Sequence, residues 1–515
     1  MTGNFNFYML MSIAAYMVVV IVIGFVFARR NDQIGDFYLG GRKLGTIVTA
    51  MSAEASDMSS WLLMGLPGVA YLSGIADAGW TAIGLAIGTY VNWLTVASRL
   101  RCYSQLSQNA ITLPEFFSNR YRDSKKILTW IASIVILIFF IPYTAAGFAS
   151  CGKLFNSVFG LDYTTAMLIG AVVVVAYTTV GGFLAASTTD LIQGIVMSIA
   201  LLSILMFGAA VAGGIDAVWQ KADAIPGYLS MMFSHNSTTG QTERYGLITI
   251  ISTMAWGLGY FGMPHILLRF MAIRDEKKIV FSRQIAVTWV VVSLAVAVLI
   301  GIVGQTLSLN GEIAALEGSA SETIIIRMAQ LLSHTGVISS LIAGVVLSGI
   351  LAATMSTSDS QLLVASSSVT ENLIKECFDI RLSEKTGMMI ARSAVIVIAA
   401  IAAFIARDPD SSIFVIISFA WAGFGAAFGP VMLFALFWRR SNVYGAIAGM
   451  VSGGVMVFVW KYLVRPLGGV WNIYELLPAF VFACLAIIVV SLLSKAPARE
   501  ITDEFDAVVK MGNRK

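Results

Sequence analysis

The segment Met51-Ser52-Ala53-Glu54-Ala55-Ser56-Asp57-Met58-Ser59-Ser60-Trp61 decides how the rest of the chain is read. It places two carboxylates and four serines inside a stretch otherwise apolar enough to cross a bilayer. A charge at membrane depth costs at least about 2.5–3.5 kcal/mol, so such residues face a protein interior or a wet cavity and mark an ion or substrate path. The segment therefore reads as half of a binding site.

The composition around it is that of an integral membrane protein. Of 515 residues 58% are hydrophobic and only 12% charged, about half the charge of a soluble protein, and the mean hydropathy is +0.83. The apolar runs are about 20 residues long, the length of a membrane-spanning helix and twice that of a barrel strand. The fold class is all-α and polytopic, with the lipid bilayer as the obligatory partner. The net charge of +4 is no sign of nucleic acid, because the basic residues sit in short clusters between apolar spans and report topology. Cys102, Cys151, Cys377 and Cys484 lie far apart with no metal or redox spacing. His235, His265 and His334 form no HExxH, and GxSxG is lacking, so hydrolytic enzyme chemistry has no parts.

Outward from the opening segment, about thirteen spans follow one another. The first, 6–28, precedes Arg29-Arg30 and is an extra helix with its amino terminus outside, not a signal peptide. Threading the chain alternately puts most Lys and Arg on the opposite face, the cytoplasm, including Arg29/Arg30/Arg42/Lys43, Arg269 to Arg283, and Arg439/Arg440. The spans are grouped as two sets of five, 46–212 and 245–438, then two further helices within 443–494 and a charged, loosely ordered cytoplasmic tail, 495–515. The seventh span carries Trp256-Gly257-Leu258-Gly259-Tyr260-Phe261-Gly262-Met263-Pro264, a helix-weakening string at membrane depth. Interrupted helices opening two successive sets of five point to an inverted-repeat transporter with its site at the midplane.

Unwinding a helix in the membrane frees carbonyls and amides that protein or ligand must satisfy. Around Ala55–Ser59 the freed carbonyls, hydroxyls and Asp57 make a hard-oxygen set that suits a monovalent cation. In the ninth span Ala353, Ser356, Thr357 and Ser360 share one helical face, and Asp359 follows on the same turn. Such small residues also serve close helix packing. Trp256, Tyr260 and Tyr143 are candidates for a substrate wall. Arg42 is either a positive-inside charge or a gate. The letters GLGYFG match GxGxxG, but no βαβ unit surrounds them, so they are no dinucleotide site. The pairs Gly84/Gly88 and Gly445/Gly449 read as helix packing within the chain.

Gly40-Gly41-Arg42-Lys43-Leu44-Gly45, Ala55-Ser56-Asp57-Met58-Ser59, Trp61 to Gly68, Trp256 to Pro264 and Ala420 to Pro430 closely resemble the bacterial sodium/proline symporters of the sodium/solute symporter family, over nearly the whole chain. The resemblance implies a LeuT-type fold, a 5+5 inverted repeat with one helix before and two after, in the inner (plasma) membrane with the carboxyl terminus cytoplasmic. It implies Na⁺ held by the carbonyls of Ala55, Met58 and Ala353 and the hydroxyls of Ser356 and Thr357, with Asp57 close by. L-Proline would lie against Tyr143, Trp256, Tyr260 and Pro264, with Ser59 near its polar end. Asp190 matches an aspartate that some relatives use, with hydroxyls such as Ser360, for a second sodium, and Asp359 either joins it or ends a helix. Glu54 and Ser60 stand where the resemblance leads one to expect glycine, Met263 glutamine and Asp359 serine. Within transport, proton coupling through Glu54 or Asp57, and another small amino acid or a carboxylate as substrate, remain open alternatives. A channel would need a continuous polar pore, and a sensor an added soluble domain. No oligomer is required.

Overall fold

The computed structural model describes residues 3–28 and 34–512; Arg29 and Arg30, expected in the first cytoplasmic cluster, lie outside them. The helices are α1 (Gly3–Ala28), α2 (Ile34–Leu39), α3 (Thr46–Asp57), α4 (Leu66–Ser73), α5 (Ile75–Val91), α6 (Ala97–Leu106), α7 (Leu113–Tyr121), α8 (Ile127–Phe159), α9 (Tyr163–Val211) and α10 (Ile215–Asp223). After a short hairpin of β1 (Phe233–His235) and β2 (Thr242–Arg244) come α11 (Leu247–Met254), α12 (Pro264–Ala272), α13 (Ile279–Leu309), α14 (Ile324–Ser333), α15 (Val337–Ser367), α16 (Glu384–Ile405), α17 (Ile413–Phe437), α18 (Val443–Val459), α19 (Leu476–Leu493) and α20 (Arg499–Gly512).

Among the described residues nine helices are long and apolar enough to cross a membrane, and Leu247–Phe261 with Pro264–Ala272, bent by 44°, makes a tenth. The two spans expected at 162–182 and 188–212 follow one another within α9 without an intervening loop, and divide where the backbone leaves helical geometry at Gly182 (φ 65°, ψ −173°). That combination is open to glycine and closed to residues with a Cβ. The span expected at 323–358 is instead two helices, α14 and α15, separated by a turn at Gly336 with φ 149°.

The packing places α15 at the centre, against α9, α8, α1 and α3, while α13 covers α3, α4 and α5. α1 lies outside this core on α9 and α15, and α18 pairs with α19. Gly445 and Gly449 accomplish that last pairing: a Cβ on either would come within 2.3 Å of Ser491 or Ile487. Gly84 and Gly88 likewise sit on the backbone of Met254 and Gly257. Both pairs are contacts within the chain.

The tail departs from expectation. It forms α20, whose Ile501, Phe505 and Val508 are buried against α6. Arg122 bonds Glu504 at 2.6 Å and Glu500 at 3.3 Å, and Arg439 bonds Asp506 at 2.9 Å. Reading the tail by its charge missed that those charges pair with bases 67 to 382 positions away.

Candidate functional site

The first break begins where α3 stops at Asp57 and Met58 turns out of the helix (φ −75°, ψ 68°). The chain resumes in a wide π-turn, Trp61–Gly65, and enters α4 with Pro67 in its first turn, where a missing N–H costs nothing. The end of α3 is satisfied from within the break: the Asp57 carbonyl accepts the Ser59 amide at 2.8 Å and the Trp61 indole at 3.2 Å.

The Ala55 carbonyl faces α15. The Ser356 hydroxyl donates to it at 2.7 Å and lies 3.2 Å from the Ala353 carbonyl. Thr357, 2% exposed, carries a buried hydroxyl with no hydrogen-bond partner. Four of the residues expected to hold the ion, Ala55, Ala353, Ser356 and Thr357, therefore meet where α15 crosses α3, and Met58 is buried at the break itself. Two carbonyls and two hydroxyls with one valence unsatisfied fit a small hard cation.

The second break is a tight turn, Ala255–Phe261, between α11 and α12, with Met263 as N-cap and Pro264 at the start of α12. Side chains of neighbouring helices satisfy carbonyls here: Trp421 Nε1 donates to Trp256 at 2.8 Å, and Asn92 Nδ2 to Tyr260 at 3.1 Å. The glycines permit these approaches. A Cβ on Gly259 would lie 1.9 Å from the Trp421 indole nitrogen, and one on Gly257 2.2 Å from the Gly84 carbonyl. The GxGxxG letters are thus packing surfaces.

The two breaks are tied together by Tyr260, whose hydroxyl donates to Asp57 Oδ2 at 2.6 Å. Tyr143 faces Ser59. Trp256 stacks on Tyr474 at 5.2 Å and is flanked by Phe414, Trp61 and Trp421 at 5.3–6.2 Å. Ser59, Tyr143, Trp256, Tyr260 and Pro264 are all buried, so this wall is closed from both faces of the protein.

Asp190, Asp359 and Ser360 also come together, around a guanidinium absent from the sequence reading of the site. Arg269 Nη2 bonds Ser360 Oγ at 2.5 Å and Asp190 Oδ2 at 3.2 Å, Nε bonds Ser52 at 3.0 Å, and Nη1 bonds the His265 carbonyl at 2.8 Å. Ser52 also donates to Asp190 at 2.6 Å, and Ser360 to Asp359 at 3.1 Å. The cation that Asp190 faces here is Arg269, on a helix 79 residues away. As a cytoplasmic-side charge in the sequence it gave no sign of this role.

Arg42 follows Gly40 and Gly41 in a left-handed turn and shares it, with φ 55°, a geometry costing a non-glycine residue about 1 kcal/mol. Its guanidinium bonds the Met271 carbonyl at 2.6 Å, Ala110 carbonyl at 2.7 Å, Ser104 at 3.0 Å and Asn109 at 3.1 Å. It thereby fastens the approach to α3 to the ends of α6 and α12. On the opposite side Glu322 meets Lys153 at 2.8 Å and accepts from Ser412 Oγ and from the amides of Ile413 and Phe414 at 2.8–3.1 Å. That carboxylate caps α17 and positions Phe414 over Trp256.

Comparison with known proteins gives the family and the fold. The model of the sodium:solute symporter family matches residues 37–453. The chain is 45% identical to the sodium/proline symporter of Haemophilus influenzae over 505 residues, 97% of each chain. It is 40% identical to the osmoregulated proline transporter OpuE of Bacillus subtilis, covering 98% of this chain and 99% of that one. A solved structure of a Na⁺-coupled sialic acid symporter in a substrate-bound outward-open state superposes with TM-score 0.78 at 16% identity, over 96% of this chain and 99% of the other. The fold is therefore the all-α LeuT-type arrangement.

Proposed function

Because the chain belongs to the sodium:solute symporter family, we propose that it carries L-proline into the cell together with sodium, by alternating access across the cell membrane. The observation that carries the reading is the Ser356 hydroxyl between the Ala55 and Ala353 carbonyls, beside the unpartnered Thr357 hydroxyl, in a chain whose relatives of this length are proline transporters. Sodium lies at this crossing, with Ala55, Met58, Ala353, Ser356 and Thr357 as ligands. Proline lies between the breaks against Tyr143, Trp256, Tyr260 and Pro264, with Ser59 toward its carboxylate. Asp190 and Ser360 act through Arg269, a tethered cation that takes the place of an ion between them.

The charge distribution supports an outside amino terminus and a cytoplasmic α20. Arg42, Arg101, Arg120, Arg122 and Arg439 all bond within one face, to Ala110, Ile273, Ala435 and α20. Arg42 closes the cytoplasmic side, and the Trp256–Phe414–Tyr474 cluster the outer side. Sodium works by stabilising the substrate-competent arrangement more than the other, since equal affinity for both would shift nothing. One ion entering across 100 mV supplies about 2.3 kcal/mol, enough to concentrate a zwitterion roughly fifty-fold.

Radiolabelled proline uptake into proteoliposomes tests the reading. Uptake against a gradient is expected with inward sodium and not with an inward proton gradient alone. Uptake of another amino acid with proline excluded would contradict the substrate.

A further inference from the structure

Glu54 lies wholly buried one turn before Asp57 on α3. Its Oε1 accepts the Trp93 indole at 2.8 Å and its Oε2 has no partner. Trp93 follows Asn92, whose Nδ2 bonds the Tyr260 carbonyl, and Tyr260 bonds Asp57. The contacts close a ring, Glu54 to Trp93, Asn92 to Tyr260, Tyr260 to Asp57 and back along α3. Asn92 and Trp93 open a π-turn, Asn92–Val96, a local widening found often at functional sites.

The ring holds two carboxylates and no base. The buried acids Asp190, Glu322, Glu371 and Glu475 each have a guanidinium or ammonium within 3.2 Å, whereas Glu54 and Asp57, like Asp123 and Asp359, form no ion pair among the described residues; Glu54 and Asp57 alone of these lie one turn apart on a single helix. Three oxygens of the ring region are buried with no hydrogen-bond partner, Glu54 Oε2, Asp57 Oδ1 and Asn92 Oδ1, and the buried Thr89 hydroxyl beside them is loosely held at best. Thr89 precedes Asn92 by one turn, on the side of Tyr260. Asn92 and Thr89 are themselves 0% exposed, and buried polar atoms are seldom left unpaired. Carboxylate, amide and hydroxyl oxygens without sulfur or imidazole are ligands for a hard cation.

We propose a second sodium site between α3, the Asn92–Val96 turn and the Ala255–Phe261 turn, with Glu54, Asp57, Asn92 and Thr89 as its ligands. It is separate from the crossing of α3 and α15. The ion neutralises the acid ring and joins α3 to α5 and to the second break, so its binding favours the arrangement that holds substrate. The inference rests on the sodium-symport reading and adds one ion per cycle to it.

Equilibrium ²²Na⁺ binding to the purified protein, with static-head accumulation in proteoliposomes, is the test. Two ions per chain are expected, and with a tenfold inward sodium gradient at zero membrane potential, roughly 100-fold proline accumulation; one ion gives about tenfold. Glu54→Gln is expected to bind one ion and to accumulate only about tenfold. Wild-type protein that binds a single ion overturns the site, whatever the variant does. A second charge that follows an imposed proton gradient and not sodium also overturns it. A chain that binds two sodium ions, loses one with Glu54→Gln and carries no proline would contradict the substrate reading and leave this site standing.

Discussion

At the scale of single residues, the geometry makes Thr357 more telling than its neighbours. Its hydroxyl is buried and unpaired, a situation that costs about 1–3 kcal/mol unless a ligand relieves it. Thr357→Ala should therefore leave stability without sodium unchanged or improved and raise the sodium concentration for half-maximal uptake about tenfold, ~1.4 kcal/mol. A sodium titration of uptake reads this directly; an unshifted midpoint would remove Thr357 from the site.

A second residue-scale consequence lies in the short helix α7, outside the membrane-spanning helices. Burial pushes the Glu115 carboxyl from 4.5 up to about 7, although it accepts the Ile111 amide. The folded protein then holds this proton more tightly than the unfolded chain. The stabilisation is complete below pH 4.5 and is lost as pH rises toward about 7. The unfolding temperature of wild type relative to Glu115→Gln should fall across that window, and a pH-independent difference would contradict the assignment.

At the scale of elements, the breaks were legible because glycine, proline and hydroxyl residues at Ala55–Ser59 and Trp256–Pro264 have few other uses inside a membrane. Their partners were less so. Periodicity marks the Ser356 face of α15, yet nothing local tells that Asp190 pairs with Arg269 or that Trp93 serves Glu54, because such contacts depend on how helices cross. The Glu322 cap of α17 belongs to the same class. Lys153 is 7% exposed and Glu322 4%, so Glu322→Ala leaves two helix amides unpaired and a buried ammonium with the Ser411 carbonyl but no counter-charge. Breaking such a pair costs about 3–5 kcal/mol, which thermal unfolding in detergent should show; a loss under about 1 kcal/mol would mean the cap is dispensable.

At the scale of the molecule, composition alone fixed the class, and the order of spans fixed where the interrupted helices fall. The tail escaped because α20 is amphipathic and charged, features that read as solvated until Arg122 and Arg439 are brought beside it. The alternating access proposed above requires that the closed wall around Trp256 and the Arg42 contacts to α6 and α12 open in turn. The most direct test is equilibrium binding of labelled proline to purified protein, titrated with sodium against choline. Sodium should tighten proline binding at least tenfold in wild type, and Ser356→Ala with Thr357→Ala should abolish that gain. Equal affinity in the two salts would contradict a shared ion and substrate site between the broken helices.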